Sequence, residues 1–468
     1  MNILQVSSSD GGGGANKVAS AVHRGMRARG HASAMAVGRK RSLDADVVAI
    51  PRGMSLPRRV AYRAALRVIR PLARRIAALR PLRRALQSPH SLSYLRQRST
   101  GSEVFDYPES RRILELSPFT PELVHVHNLH SEYFDLRFLE KLSARVPVAM
   151  TLHDEWTFTG HCAYTLVGDR WRDGCRSCPD LEIYPAIQRD ATHENWLVKQ
   201  SIYERSRLYV SAPSEWLLDR ARQSILAAGA VDWRLIRNGV DLGIFKPAEQ
   251  ATARDTLGLP REAHVLLFTA NAMNRNPFKD YRTIEAAVER LGAELRDRPL
   301  LLIALGGDEP SRTLGNAELR QVPYETAPAR VAAYYQAADV YLHAANADTF
   351  PTTILEAMAV GRPVVATAVG GIPEQVRSLV AMPGAWAGAA ADATTATGVL
   401  VEAHDAGGMA AAASALLTDD DLRARLGANA AAEAAALYDI ERQLDETLAW
   451  YAEILGDWHR WRHGRAAS

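Results

Sequence analysis

The chain has 468 residues, a length that favours two domains over one. Apolar residues make up 47% of it and charged residues 23%, which is typical of globular proteins and excludes a disordered or membrane-embedded chain. Three cysteines are too few for a disulfide framework, and the N-terminus lacks the basic and apolar regions of a signal peptide, so we expect a cytoplasmic protein.

Strand and helix patterns alternate in the first half of the chain. A short buried-strand pattern at 2–8 is followed by glycines and by a helix-period segment that ends at Gly30. Asn238 and Gly239 form a turn signal at the end of this half. Further strand-and-turn units read HASAMAV, ELVHVHN, VPVAMTLHD and RLYVSAPS. Alternation of this kind predicts a parallel sheet that is built from right-handed crossovers.

The same alternation restarts in the second half, with strand patterns HVLLFTAN, LLLIALGG, DVYLHAA and RPVVATAV. Two such series predict an α/β protein with two doubly wound, Rossmann-like domains at 1–238 and 239–438. Ligands are then expected at the carboxyl ends of the strands, in a cleft between the two domains. A helical tail at 439–468 is expected to pack back toward the N-terminal domain.

Two acids, Asp348 and Glu356, flank the start of a predicted helix that ends at Gly361. Thr352 and Thr353 are candidates for its N-cap, and helix N-termini attract phosphate. Glu356 follows Thr352 by four residues, so it shares that helix face and could accept two hydrogen bonds from a ribose diol. With Asp348 on the hydroxyls of a second sugar, the pattern outlines a nucleotide-sugar site. An ordinary capped helix with a surface acid is the equal alternative.

The stretch DTFPTTILEAMAVGRPVVATAVGGIPEQV resembles the signature of family 4 retaining glycosyltransferases of GT-B fold. That signature has an acid, seven residues and a second acid, followed by a Gly-x-Pro-Val strand and a GGxPE loop. GGGANKVA, VPVAMTLHD and NGVDLGIFKP also resemble segments of that family, so the resemblance covers nearly the whole chain. It implies two Rossmann-like domains that face each other across a cleft, with the acceptor on 1–238 and a nucleotide-sugar on 239–438.

The resemblance also implies roles for individual residues in donor binding. Glu356 would hold the ribose, and Asp348, where the family usually has Glu, would contact the donor sugar. Lys279 would neutralise the departing diphosphate, with Arg275 as the less clear second cation; a solvated loop charge is the alternative for either one. The remaining residues expected at the donor are Gly13, Gly14, Phe350, Thr352, Thr353 and Ile354.

His153 ends the strand pattern VPVAMTLHD, where the family has a histidine near the anomeric centre or the phosphate. A packed, fully hydrogen-bonded histidine is the alternative. His125 and His127 alternate onto one face of a strand and could suggest a metal, but the family carries a similar pair without one. We therefore predict no metal site for catalysis, because cationic side chains and a helix N-terminus can stabilise the leaving diphosphate.

All three cysteines lie close together in sequence, at Cys162, Cys175 and Cys178. This stretch resembles one in exopolysaccharide glycosyltransferases of the colanic-acid type, in which a fourth cysteine stands at the position of Gly168. The Cys-x-x-Cys pair is half of a zinc knuckle, and His161 or Asp169 could supply a fourth ligand. The favoured alternative is a set of buried free thiols that shapes the acceptor side.

Residues 51–100 form a basic insertion with thirteen arginines and no acid. A basic amphipathic helix can lie on anionic lipid, which would bring the protein to the inner face of the membrane. A solvated insertion is the alternative, and nucleic acid is not expected because only two aromatic residues, Tyr62 and Tyr94, lie among the arginines. The arginines on one predicted helical stripe are Arg59, Arg63, Arg67, Arg70 and Arg74.

Together, the motifs and the resemblance predict a retaining, metal-independent bacterial glycosyltransferase of the hexosyltransferase class that needs no cofactor. It would transfer a sugar from an NDP-sugar, with UDP- or GDP-sugar expected, to a glycan or lipid-linked acceptor in exopolysaccharide or surface-glycan biosynthesis. Two alternatives stay open: a lipid-docked, non-catalytic GT-B scaffold, and a GT-B relative such as a sugar-nucleotide epimerase.

Overall fold

The protein is described here from a computed structural model, in which the chain divides into two compact units. The N-terminal unit comprises Met1–Ala212, Leu218–Arg234 and Leu448–Ser468, and the C-terminal unit comprises Pro213–Leu217 and Leu235–Thr447. The described residues are 1–51, 67, 97, 99–103, 105–269, 276–307, 309–380 and 392–466.

Two sequence predictions therefore fall largely outside the described residues. Of the predicted basic stripe within 51–100, only Arg67 is described, and Arg275 is not described at all. The predicted domain bounds, 1–238, 239–438 and 439–468, stay predictions.

A seven-stranded sheet forms the centre of the N-terminal unit. Its strand order is β3-β2-β1-β4-β5-β6-β7, and β1 pairs in parallel with both β2 and β4. The chain order thus reverses direction between β1 and β4, which makes that pair the topological switch point. The strands are β1 (Asn2–Ser9), β2 (Ala32–Arg39), β3 (Val47–Ala49), β4 (Leu123–Val126), β5 (Val148–Thr151), β6 (Leu208–Ala212) and β7 (Ala230–Leu235).

Helices connect these strands, and the first of them follows the predicted glycines. It begins after Gly13, whose φ is 83°, and Gly30 follows its end with a φ of 81°, as the sequence predicts for a residue just past a helix terminus. The helices are α1 (Gly14–Ala28), α2 (Ile113–Leu116), α3 (Phe138–Ser143), α4 (Thr192–Tyr203) and α5 (Glu215–Arg222), with short 3-10 turns at Pro108–Arg112, Arg170–Asp173 and Ile225–Ala228.

The C-terminal unit is built on a second seven-stranded sheet, in the order β10-β11-β9-β8-β12-β13-β14. The pairings from β11 to β14 are parallel, and β10 runs antiparallel to β11 at the edge. The strands are β8 (His264–Thr269), β9 (Leu300–Leu305), β10 (Arg312–Leu314), β11 (Ala317–Val322), β12 (Val340–His343), β13 (Val364–Thr367) and β14 (Gly398–Val401).

Seven helices of the described chain follow α5. These are α6 (Gln250–Leu257), α7 (Tyr281–Glu294), α8 (Pro328–Ala337), α9 (Thr352–Ala359), α10 (Ala406–Thr418), α11 (Asp420–Leu437) and α12 (Ile440–Ala466), with a 3-10 turn at Ile372–Glu374. No helix among the described residues is both long enough and apolar enough to cross a membrane.

The sheet of the C-terminal unit is buried on both of its faces. Val265 and Leu267 of β8 pack into one hydrophobic cluster, and the alternate residues Leu266 and Phe268 pack into another. Side chains of a strand point alternately to opposite faces, so a strand between two helical layers must be apolar throughout. This explains why β8 and β9 read as continuous apolar runs in the sequence.

Candidate functional site

The candidate site of the C-terminal unit lies where β8 and β12 end side by side. β8 pairs in parallel with both β9 and β12, so the chain order changes direction at this point. The Asn346 amide donates to the Phe278 carbonyl at 2.9 Å, and the Asp280 amide donates to the Ala344 carbonyl at 3.1 Å. These bonds hold the loop after β8 against the segment after β12, and Lys279 is part of that loop.

Lys279, His343 and Asp348 form a compact cluster at this edge. The ammonium nitrogen of Lys279 lies 2.5 Å from Asp348 Oδ2 and 2.9 Å from His343 Nε2. An ammonium group can only donate, so Nε2 accepts, and Nδ1 carries the imidazole proton toward the Tyr341 hydroxyl at 3.2 Å. Lys279 is 13% exposed and Asp348 16% exposed, so both charges are largely withdrawn from water but remain reachable.

The electrostatics of the cluster keep Asp348 ionised and His343 neutral. Burial, the largest influence, would raise the pKa of Asp348, but the Lys279 charge and the contacts with His343 and Lys279 lower it below its usual range. Burial first, and then the Lys279 charge, lowers the pKa of His343 to about 4. Near neutral pH the site therefore holds one cation and one anion beside a neutral imidazole.

Helix α9 begins directly after this cluster. Its N-cap is Pro351, and no side chain caps it, so the prediction that Thr352 and Thr353 are N-cap residues is wrong. Both threonines lie in the first turn instead, because proline fixes φ near the value that a helix start requires. A helix start without a side-chain cap leaves backbone N–H groups for another acceptor.

Glu356 lies in the second turn of α9 and is only 8% exposed. One of its carboxylate oxygens accepts a hydrogen bond from the Tyr335 hydroxyl at 2.7 Å. Burial, followed by the Glu356 charge, raises the pKa of Tyr335 well above its usual range, so the hydroxyl stays a donor. The alternative of a surface acid on an ordinary helix is therefore wrong for Glu356.

Several buried polar atoms around α9 make no hydrogen bond of acceptable geometry within the described protein: the Thr269 and Thr353 hydroxyl oxygens and Asn238 Oδ1. Burial raises the pKa of Tyr341, and the nearby Thr353 and Thr269 side chains partly offset that rise. The Asn238 amide nitrogen donates to the Phe350 carbonyl at 3.3 Å. Buried polar atoms without partners are costly, and they mark a place where a ligand can bond.

The GGIPE segment packs against the backbone that carries Asp348. A Cβ atom on Gly370 would lie 1.9 Å from the Asp348 carbonyl oxygen, and one on Gly371 would lie 1.9 Å from that of Thr349. The Gly371 amide donates to the Asp348 carbonyl at 3.1 Å. Both positions therefore require glycine, because the loop packs directly on the backbone that carries Asp348.

In the N-terminal unit, His153 follows β5 and is 9% exposed. Its Nε2 lies 3.0 Å from His127 Nδ1, and His127 Nε2 lies 3.1 Å from Gln5 Oε1. Burial is the main cause that lowers the pKa of His153 to about 4, so it is neutral near pH 7. Gly13 and Gly14 lie at the start of α1 in the same unit, and Gly13 is its N-cap residue.

The three cysteines are free thiols in the N-terminal unit. Cys175 Sγ accepts a hydrogen bond from the Gly160 amide at 3.1 Å, and burial raises the pKa of all three thiols. Within the described ranges, no three or more His, Cys, Asp or Glu side chains converge in a way that could hold a metal ion.

Residues 263–433, which include Lys279, Asp348 and Glu356, match the family described as Glycosyl transferases group 1. This match lies within the C-terminal unit. The chain is also 30% identical over 262 residues to an Escherichia coli (strain K12) protein that is named as the colanic acid biosynthesis glycosyl transferase WcaC. That alignment covers 53% of this chain and 60% of the relative, and the chain spans about half the length of other curated relatives that it matches.

Solved structures show that the group 1 glycosyltransferase domain is part of a GT-B fold. Sucrose-phosphate synthase from Thermosynechococcus elongatus has a TM-score of 0.62 at 19% identity and covers 98% of this chain and 100% of its own. The Anabaena protein HepE in complex with UDP-glucose has a TM-score of 0.59 at 16% identity, with 96% and 99% covered. The predicted fold class, α/β with two Rossmann-like units, is confirmed.

Sequence reasoning missed three residues near the group 1 motif: His343, Tyr335 and Asn238. His343 is the last residue of β12, and a polar residue at the carboxyl end of a buried strand is a signal that could have found it. Asn238 was interpreted only as a turn residue. Tyr335 lies in α8, 21 positions before Glu356, and nothing local in the sequence points to their contact.

Proposed function

We propose that the protein is a retaining, metal-independent glycosyltransferase that moves a sugar from an NDP-sugar to a glycan or lipid-linked acceptor in exopolysaccharide or surface-glycan biosynthesis. The observation that carries this proposal is the contact of Lys279 with Asp348 and His343 beside the uncapped start of α9. A cation and free backbone N–H groups at one switch point suit a diphosphate.

In this proposal, the donor lies along the start of α9. The diphosphate takes the N–H groups of Thr352 and Thr353 and the charge of Lys279, while the Ile354 N–H donates to the Pro351 carbonyl at 3.2 Å. The ribose hydroxyls donate to Glu356, whose other partner, Tyr335, holds the carboxylate in place. Asp348 accepts from hydroxyls of the transferred sugar, and the backbone at Phe350 borders it.

The chemical step breaks the bond between the anomeric carbon and the diphosphate oxygen, and the electron pair stays on the diphosphate. The acceptor hydroxyl forms the new bond to the anomeric carbon, and its proton passes to the departing diphosphate oxygen. Lys279 and the α9 amides stabilise the charge that develops on the leaving group, which is the part of the barrier that preorganised donors reduce most. Retention is what the resemblance to family 4 enzymes implies.

The remaining sequence predictions are kept as parts of the proposal. His153, as a neutral imidazole, can bond a sugar hydroxyl, and Gly13 and Gly14 offer backbone amides at the start of α1. Arg275 remains a second candidate cation, and 51–100 a candidate contact with anionic lipid on the cytoplasmic side of the membrane. The UDP-glucose complex of HepE supports UDP-sugars as the first donors to test.

The first test is a thermal-shift screen against UDP, GDP, ADP and their common sugar conjugates, with and without EDTA. We expect one nucleotide to raise the unfolding temperature, and EDTA to leave that rise unchanged, because ligand binding stabilises the folded state. Glu356→Gln should abolish most of the rise, and Glu289→Gln, at an exposed position of α7, should not. A rise that needs Mg²⁺, or one equal in Glu356→Gln, would contradict the proposed donor site.

The same donor then separates transfer from the alternatives. Incubation of the protein with the stabilising NDP-sugar should release the nucleoside diphosphate. A sugar-nucleotide epimerase would instead convert the sugar while it stays attached to the nucleotide. A non-catalytic scaffold would bind the donor and release nothing with any acceptor extract of the cell envelope.

A further inference from the structure

A cavity of about 230 Å³ lies within the N-terminal unit, close to the carboxyl ends of β4 and β5. Five of its thirteen described lining residues are phenylalanine, tyrosine or tryptophan: Phe105, Tyr107, Phe134, Trp156 and Tyr184. Neither the group 1 domain match, which begins at residue 263, nor the donor site accounts for this cavity.

The rings around the cavity are held at defined angles. The His130 ring stands edge-on to both Trp156 and Tyr184, with centroids 5.7 Å away in each pair. Two contacts hold Trp156 in place. Its Nε1 donates to Glu103 at 2.7 Å, and the Lys199 ammonium lies 3.8 Å from its ring centroid. The aromatic wall is therefore a rigid surface and not a loose hydrophobic patch.

A chain of hydrogen bonds runs along the polar side of the cavity. Asp154 Oδ2 lies 2.8 Å from His130 Nε2, and His130 Nδ1 lies 2.9 Å from the Ser131 hydroxyl. The Ser131 hydroxyl lies 3.0 Å from that of Tyr184. In a neutral imidazole, Nε2 donates to the carboxylate, Nδ1 accepts from the Ser131 hydroxyl, and the Ser131 oxygen accepts from Tyr184.

Backbone strain is concentrated at this cavity. Phe105, Ser131 and Glu132 have φ angles of 49°, 82° and 61°, and all three residues line it. Non-glycine residues adopt such angles at an energetic cost, and they persist mainly where a ligand or a reaction requires their position. The strain is thus a sign of a binding site that is independent of the aromatic rings.

The charges at the cavity do not suit an anionic ligand. Among the described residues that line it there is no lysine or arginine, so a phosphate or carboxylate would find no cationic partner. The carboxylate of Glu103 is paired with the Lys199 ammonium at 2.9 Å, so this pair carries no net charge, and Glu132 is the remaining acid of the lining. A ligand with apolar faces and several hydroxyls fits both the rings and the hydrogen-bond chain.

We propose that this cavity binds one neutral pyranose unit, with a face of the sugar ring on Tyr184 and its hydroxyls toward Ser131 and His130. Its volume is below the roughly 300 Å³ at which pockets for drug-sized ligands begin, which suits a single ring. The inference rests on the proposed function, in which this sugar is a unit of the acceptor.

The test uses saturation-transfer NMR with the full chain. The probes are the methyl glycosides of glucose, galactose, mannose and fucose, together with glucosamine and glucose 6-phosphate, and UDP is added as a separate ligand. We expect at least one neutral glycoside to receive saturation through its ring C–H protons. Glucose 6-phosphate should receive less than that glycoside. A stronger signal from glucosamine, whose ammonium could pair with Glu132, would overturn the proposal of a neutral ring.

Tyr184 provides the main variant, because its side chain is 44% exposed and its loss should leave the fold intact. Tyr184→Ala should weaken glycoside binding at least about tenfold, and Tyr184→Phe, which keeps the ring, only about threefold. Tyr324→Ala is the matched control, since Tyr324 is also 44% exposed but belongs to the C-terminal unit.

The possible outcomes test the pyranose site separately from the proposed function. Loss of the glycoside signal in Tyr184→Ala with an unchanged UDP signal supports the pyranose site. Equal glycoside signals in Tyr184→Ala and Tyr324→Ala, or no signal from any neutral glycoside while UDP binds, would overturn it and leave the proposed function standing. A glycoside signal without any nucleotide binding would instead count against the proposed function.

Discussion

The carboxyl ends of the two sheets carry different side chains, although both sheets are doubly wound. In the C-terminal unit, Lys279 and Asp348 are charged, and the largely buried carboxyl of Glu356 lies nearby. In the N-terminal unit, the two imidazoles that directly follow β4 and β5, those of His127 and His153, stay neutral because burial lowers their pKa.

This difference shows how two doubly wound units can suit different kinds of ligand. A buried charge is tolerated only where a counter-charge or several hydrogen-bond partners are supplied. The C-terminal unit supplies them within 3 Å of Lys279, and the site keeps a cation for an anionic ligand. The N-terminal unit keeps His127 and His153 neutral, and its cavity at Tyr184 suits hydroxyls and aromatic stacking instead.

The largest expected effect comes from removing the cation. Lys279→Ala should lower the rate of nucleoside diphosphate release from the stabilising donor about 10²–10³-fold, the usual consequence of losing one group that stabilises a leaving oxygen. The measurement is initial-rate release at saturating donor. Lys246→Ala, at an exposed lysine of the same unit, should keep full activity. If a folded Lys279→Ala protein released nucleoside diphosphate within threefold of the wild-type rate, the Lys279 charge would not be what distinguishes the C-terminal unit.

The second test alters the support of the charged site without touching a charge. Gly371→Ala places a methyl group 1.9 Å from the Thr349 carbonyl oxygen, so the backbone at Asp348 must shift. We expect a loss of about 1–3 kcal/mol in the free energy of unfolding, measured by urea denaturation. Gly456→Ala, in α12, has its nearest neighbour at 3.5 Å and should not destabilise the protein. Equal stabilities of the two variants would argue against the close packing.

The third test addresses the neutral histidines. The pKa of His153 is lowered from 6.5 to about 4, so the folded state keeps it neutral while the unfolded chain binds a proton. The contribution of His153 to the free energy of unfolding is therefore fully present above pH 6.5. It falls as the pH is lowered toward 4, by at most about 1.4 kcal/mol per pH unit for each such histidine.

His153→Gln should make that pH dependence shallower by up to one proton between pH 6.5 and 4. The measurement is a series of urea denaturation curves across the range. His459→Gln, at an exposed position of α12, is the control and should leave the slope as in wild type. An unchanged slope in His153→Gln would mean that His153 is charged in the folded protein.

The smallest expected effect concerns the partner of Glu356. Tyr335→Phe removes one hydrogen bond at 2.7 Å and leaves the carboxylate in place, so nucleotide affinity should fall only about three- to tenfold. Isothermal titration with the stabilising nucleotide measures it. A loss as large as that of Glu356→Gln would show that Tyr335 contacts the ligand itself.

The sequence by itself determined the alternation of strands and helices, the end of α1 at Gly30 and the proximity of Asp348 to a helix start. These features are local, because strand periodicity, glycine conformation and residue spacing can be recognised within a short stretch of sequence. The resemblance to family 4 glycosyltransferases also implied Lys279 as a site residue, and that role stays a prediction.

Only the tertiary structure decided which side chains meet. His343 and Asp348 are 64 and 69 positions from Lys279, and their contact depends on β8 and β12 lying side by side. The same holds for Tyr335 with Glu356 and for the rings around Tyr184, whose members come from several loops. Such contacts arise because parallel strands place loops that are distant in sequence at one edge of a sheet, and no local pattern records that pairing.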